Sequence, residues 1–120
     1  MAPCLARTLC VVAAASVYTA GCAGAARADD TVRLILKDHR FSPEQVIVPA
    51  GRRFRIEVSN QDSTPAEFES SDLRVEKIVV SNGTIVVNAG PLRPGTYRFF
   101  DDYHPDQAKG TLTAVERQAD

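Results

Sequence analysis

The residues best equipped for chemistry in this 120-residue chain lie in FFDDYHPDQAKG, Phe99 to Gly110. His104, one of only two histidines, stands there with Asp101, Asp102 and Asp106 all within three positions of it. An imidazole among carboxylates on one short connection is a hard-leaning set of metal donors. The other histidine, His39, lies 65 positions upstream, so only the fold can bring the two together. Glu67 and Glu69 flank Phe68, and in an extended segment both would share the face opposite the ring. Glu76 follows a few residues on. Each of these has a plainer reading: a loop histidine bonded to a neighbouring carboxylate, glutamates on a solvated strand face, and Glu76-Lys77 as an exposed pair worth under ~1 kcal/mol. Asp106, after Pro105, suits a turn held by local hydrogen bonds.

Positioning such residues falls to short strands. Gly, Pro and Asn punctuate the chain, and the segments between them are rich in Val, Ile, Phe, Tyr and Thr, the pattern of an all-β sandwich or barrel. Thr31 to Lys37 alternates, with Val32, Leu34 and Leu36 on one face. Arg53 to Ser59 alternates most cleanly, with Phe54, Ile56 and Val58 inward. Gln45 to Val48, Glu67 to Glu69, Val75 to Val80, Thr84 to Val87, Tyr97 to Phe100 and Thr111 to Glu116 bring the expectation to about eight strands and no helix. Asp38-His39-Arg40 reads as a connection. Asn82-Gly83 between β-branched runs is the strongest short hairpin signal, so Thr84 to Val87 is expected to fold back on the strand before it.

Residues 1–28 read as a secretory signal peptide. Arg7 supplies a positive start, Leu9 to Ala20 is an apolar run shorter than the roughly 20 residues that span a bilayer, and Ala26-Arg27-Ala28 fits a small-x-small cleavage site. A second reading of the same segment is a lipoprotein leader, since Thr19-Ala20-Gly21-Cys22 resembles a lipobox that would anchor the chain through Cys22. On the first reading residues 29–120 form one exported, periplasmic domain, large enough for a single small core. All three cysteines, Cys4, Cys10 and Cys22, would leave with the leader, and with them any disulfide. That domain carries 12 basic and 15 acidic residues, a net charge of −3, which argues against a nucleic-acid partner.

The motifs resemble the cupredoxins. Phe41-x-Pro43, Val46-x-Val48-x-Ala50-Gly51, Asn60-x-Asp62 with Pro65 two residues before Glu67, Gly95-x-Tyr97-x-Phe99, His104-Pro105 and Lys109-Gly110 run in cupredoxin order. The resemblance implies a Greek-key β-sandwich with a metal site where loops gather at one end. Glu67-Phe68-Glu69, Leu73-x-x-Glu76-Lys77 and Gly90-Pro91-Leu92-x-Pro94-Gly95 resemble the small cupredoxin-like proteins of bacterial periplasmic ferrous-iron uptake. That implies copper or iron as the bound metal and assistance to ferrous-ion oxidation, an accessory ferroxidase role. It also implies an iron permease or a periplasmic iron-binding protein as partner, with the membrane reached only through that partner or a Cys22 anchor.

The departures from the blue-copper pattern are specific. Such a site needs two histidines, a cysteine thiolate and a weak axial ligand. Aligning His104-Pro105 with the second histidine puts Asp101 at the cysteine position, and near Ala108 no methionine is found. Ala66 falls at the first histidine, with Glu67 beside it. A blue-copper electron carrier is therefore excluded. What is expected is a sulfur-free site for Cu(II) or iron drawn from His104, His39, Asp101, Glu67 and Glu69, with Asp102 and Glu76 as further candidates. The alternative is a metal-free cupredoxin fold acting as a binding or structural partner. No Ser/His/Asp or Cys/His arrangement, phosphate-binding glycine loop or closely spaced zinc motif points to a hydrolase or transferase.

Overall fold

The computed structural model describes residues 30–116, so the expected leader, its cleavage site and Cys22 lie outside the described residues. Nine strands are formed: β1 (Thr31–Lys37), β2 (Arg40–Ser42), β3 (Gln45–Pro49), β4 (Phe54–Asn60), β5 (Ala66–Ser70), β6 (Val75–Val79), β7 (Thr84–Ala89), β8 (Gly95–Asp101) and β9 (Lys109–Val115). They build two sheets, ordered β2-β1-β4-β7 and β3-β9-β8-β5-β6. The pairs β1/β4 and β3/β9 are parallel and the rest antiparallel, as in a Greek-key β-sandwich. No helix occurs among the described residues.

Period-2 alternation builds the core between the sheets. Leu34 and Leu36 of β1 lie beside Phe54, Ile56 and Val58 of β4 on the inner face of the first sheet, and the second sheet contributes Ala66, Phe68, Phe99, Leu112 and Ala114, all buried. At the end that carries the histidines, three rings fill the space. Phe41 meets Phe99 edge-on at a centroid distance of 5.1 Å and Phe68 at 6.1 Å, and Phe68 lies tilted 5.7 Å from Phe99. Edge-to-face contacts of this kind add to the burial of each ring. Gly110 is required beside them, because a side chain there would meet the Glu44 carbonyl oxygen at 2.5 Å as well as the Phe99 ring.

Two connections differ from expectation. The Asn82-Gly83 turn forms, with the Gly83 amide bonded to the Val80 carbonyl at 2.9 Å, but it does not make a hairpin. β6 pairs with β5 and β7 with β4, so the turn carries the chain from one sheet to the other. Tertiary demand overrides the local signal: Val87 and Ala89 must face inward from β7, and Phe54 to Ser59 of β4 offer them an open antiparallel edge. Conversely, Asp38-His39 is a true two-residue hairpin turn between β1 and β2, with Lys37 opposite Arg40. Both turn residues have positive φ, 51° and 57°. This is the geometry that Asn-Gly usually supplies, and Asp-His does not advertise it.

Candidate metal centre

The β1–β2 turn brings His39 to the end of the sandwich where β8 stops at Asp101 and the connection to β9 begins. That connection is tightly wound: the His104 amide donates to the Asp101 carbonyl at 3.0 Å, the Ala108 amide to the His104 carbonyl at 2.9 Å and the Asp101 amide to the Ala108 carbonyl at 2.9 Å. His39 and His104 consequently stack, with ring centroids 3.8 Å apart and planes 25° from parallel. Asp101 sits beneath them, 1% exposed. Its Oδ1 accepts the Glu67 amide at 2.9 Å and the Tyr103 amide at 3.0 Å, and its Oδ2 lies 3.3 Å from His104 Nδ1. One ligand atom from each of His39, Asp101 and His104 falls within 4.8 Å of the others.

The candidate carboxylates do not all join this group. In β5, Ala66, Phe68 and Ser70 point into the core, so Glu67 and Glu69 share the outer face, as alternation required. Phe68 is in register with Asp101, which places Asp101 on the inner face. Glu67, Glu69 and Asp102 form a separate group, again with ligand atoms within 4.8 Å. Glu76, opposite Glu69 on β6, borders it. The seven candidates thus fall into two sets: the two imidazoles gathered at the end of the sandwich around the inward-facing Asp101, and carboxylates alone around the outer face of β5 and β6. Asp106 is exposed and belongs to neither. Sequence reasoning missed Asp62, whose carboxylate binds both amides of the His39 turn. The Asn60-x-Asp62 motif was the available signal.

Crowding marks the outer set. The neighbouring Glu76 carboxyl, then desolvation, then the charges of Glu76 and Asp102 raise Glu67 above the ordinary glutamate range. Desolvation, then Asp102 and Glu76, raise Glu69. Tyr103 is raised by desolvation and then by the charge of Glu67. A carboxyl raised on folding contributes stability that is present in acid and lost as pH climbs through its folded-state pKa. Glu67→Gln is therefore expected to melt above the parent at neutral pH, with the gain vanishing below the ordinary glutamate pKa. Thermal melts across that range check it, and a gain that persists in acid would contradict it.

A nine-stranded sandwich with two imidazoles and a buried carboxylate at one end defines a cupredoxin-type protein without sulfur ligands. The chain belongs to the cupredoxin-like domain family, whose model matches residues 8–114. It is 43% identical over 81 residues to an uncharacterized protein of Rickettsia prowazekii (strain Madrid E), a match covering 68% of this chain and 65% of that protein, just under two thirds of its length. Its fold is similar to auracyanin from Roseiflexus castenholzii (TM-score 0.62, 15% identity, 72% of this chain and 97% of that one). It is also similar to the metal-binding domain of the Cu(I)-exporting P-type ATPase of Streptococcus pneumoniae D39, solved with Cu(I) (TM-score 0.62, 18% identity, 72% and 85%). These likenesses are of fold. The sequence holds no sulfur between residues 30 and 116, and Ala66 and Ala108 are buried apolar positions at 3% and 0% exposure.

The donor chemistry fits a metal ion of intermediate hardness. Two imidazoles and a carboxylate suit Cu(II), and among the described residues no thiolate is present to favour Cu(I). The stacked rings bear on how such an ion would be held. Imidazole nitrogens bind in the ring plane, so near-parallel rings direct their lone pairs side by side, and sharing one ion requires a ring to turn. The His39 and His104 side chains are 34% and 35% exposed, which leaves both room to do so.

Proposed function

We infer that this protein is a metal-handling cupredoxin that binds Cu(II) through His39, Asp101 and His104 and assists the oxidation or delivery of ferrous iron. The observation that carries the reading is the convergence of the only two histidines, 65 positions apart in sequence, on one buried aspartate. Bound copper would supply a one-electron acceptor. The chain's own contribution is to gather two imidazoles and a hard oxygen at one end of the sandwich, with the histidine edges open to solvent and free to turn onto an ion. The outer group of Glu67, Glu69, Asp102 and Glu76 supplies anionic oxygen on the adjoining face, where a ferrous ion is attracted and where carboxylates favour Fe(III) over Fe(II). The leader motif supports a periplasmic setting, and the motif resemblance supports an iron permease or periplasmic iron-binding protein as partner.

A metal-free role draws on one observation of its own. Asp101 is already satisfied by two amides and an imidazole, and no buried side-chain polar atom among the described residues lacks a partner. The two readings separate in an oxygenated Fe(II) assay. Copper-loaded protein should consume Fe(II) faster than protein-free Cu(II) at equal concentration, and His104→Ala should return the rate to that background. A rate at background for the parent sinks the ferroxidase reading.

A further inference from the structure

His39 occupies a position that its own sequence does not favour. A two-residue turn with positive φ at both central residues is natural for Asn-Gly, whereas a histidine with a φ of 57° is held there at a cost. The compensation comes from the end of the neighbouring strand β4. Asp62 accepts the Asp38 amide on Oδ1 at 2.6 Å and the His39 amide on Oδ2 at 3.0 Å, so one carboxylate satisfies both amides at the centre of the turn. The same Oδ2 lies 3.7 Å from His39 Nδ1.

Asp62 is itself fixed by a buried residue. Asn60, 1% exposed, accepts the Asp62 amide on its Oδ1 at 2.9 Å and donates from Nδ2 to the Thr64 carbonyl at 2.8 Å and the Val79 carbonyl at 3.2 Å. The Asn82 amide donates to the Asp62 carbonyl at 3.2 Å. The chain of bonds runs from the core, through Asn60 and the β4–β5 connection, to the turn that carries His39. Nothing in the β1–β2 hairpin alone fixes the ring over His104.

We propose that Asp62 is a positioning residue for the metal centre: by clamping the Asp38 and His39 amides it holds the His39 ring beside His104, so that an arriving ion finds both imidazoles at one end of the sandwich and needs only the turn of one ring to be shared. This rests on the Cu(II) reading above for its function, though the placement of the ring does not depend on it. Side chains that orient metal ligands from outside typically change affinity by roughly 10- to 100-fold when removed. Asp62 acts here mainly on the ligand's backbone. Asn in its place keeps one acceptor and loses the other together with the charge.

The test uses the parent, Asp62→Ala, Asp62→Asn, Asp62→Glu and His39→Ala. With only two histidines in the sequence, their ring protons are readily assigned by NMR in the metal-free protein. The parent should show close contacts between the two rings, Asp62→Ala should lose them, and Asp62→Asn should weaken them while the core spectrum of Leu34, Ile56 and Phe99 stays in place. Cu(II) affinity should fall roughly 10- to 100-fold in Asp62→Ala, with partial recovery in Asp62→Glu. Adding Asp62→Ala to His39→Ala should bring no further loss, a result a merely structural role would not give. Ring contacts unchanged in both Asp62→Ala and Asp62→Asn overturn the proposal. Losses that add in the double variant overturn it too. If the parent binds no Cu(II), the metal reading fails, and the metal-free ring contacts still decide what Asp62 does.

Discussion

Asp101→Ala should unfold the protein at markedly lower denaturant and temperature than any single loss of a histidine. The buried carboxylate receives the Glu67 and Tyr103 amides on one oxygen and faces His104 on the other. Truncation leaves two amides without an acceptor, at about 1–3 kcal/mol each, in a site that offers no replacement side chain. A total of about 2–6 kcal/mol corresponds to a melting-temperature drop on the order of 10 °C or more for a domain of this size. Asp101→Asn separates structure from chemistry. Its amide oxygen can still take the two backbone amides, while its NH2 group replaces the oxygen that faces His104. It should retain most of the stability and lose most of the Cu(II) affinity. Thermal melts and Cu(II) titrations on the two variants check this, and equal stability in Asp101→Ala and the parent would contradict it.

Phe99→Ala should cost a comparable amount of stability, about 3–5 kcal/mol for a buried aromatic cut to alanine. The ring is 1% exposed and touches both other phenylalanines of the cluster. Its neighbours belong to the strands that carry the ligands: Phe41 follows the His39 turn on β2, and Phe68 lies in register with Asp101. Emptying that space loosens the floor of the site as well as the core. The denaturation midpoint should fall with little change in the slope, because the native surface is nearly the same while its packing is not. Cu(II) affinity should fall with it. A midpoint shift under about 1 kcal/mol would mean that the core recloses around the void.

The strands were legible because alternation is a local signal. Val32 to Leu36 and Phe54 to Val58 state their inward faces in the order of residues alone, and Glu67-Phe68-Glu69 states that its glutamates face away from the ring. The outcome at Asn82-Gly83 was not legible, because a turn signal specifies a reversal and not which sheet receives the returning strand. The site was half legible. His104 and Asp101 are three residues apart on one loop, so their proximity follows from the chain. The arrival of His39 depends on β1 and β2 crossing the same end of the sandwich, and its hold depends on Asp62 from a third segment. The division of the carboxylates between two sheet faces follows from Asp101 being in register with Phe68, a pairing between strands that sequence spacing does not encode.

The central claim is that two imidazoles and Asp101 form one sulfur-free metal centre. Cu(II) titration followed by electron paramagnetic resonance, on protein whose cysteine thiols are alkylated, tests it most directly. One Cu(II) per chain is expected, with hyperfine structure from two nitrogens. His39→Ala should remove one nitrogen, and His104→Ala should weaken binding by at least about tenfold, equivalent to about 1.4 kcal/mol. Binding no tighter than roughly millimolar, or a spectrum unchanged in both histidine variants, would contradict the account.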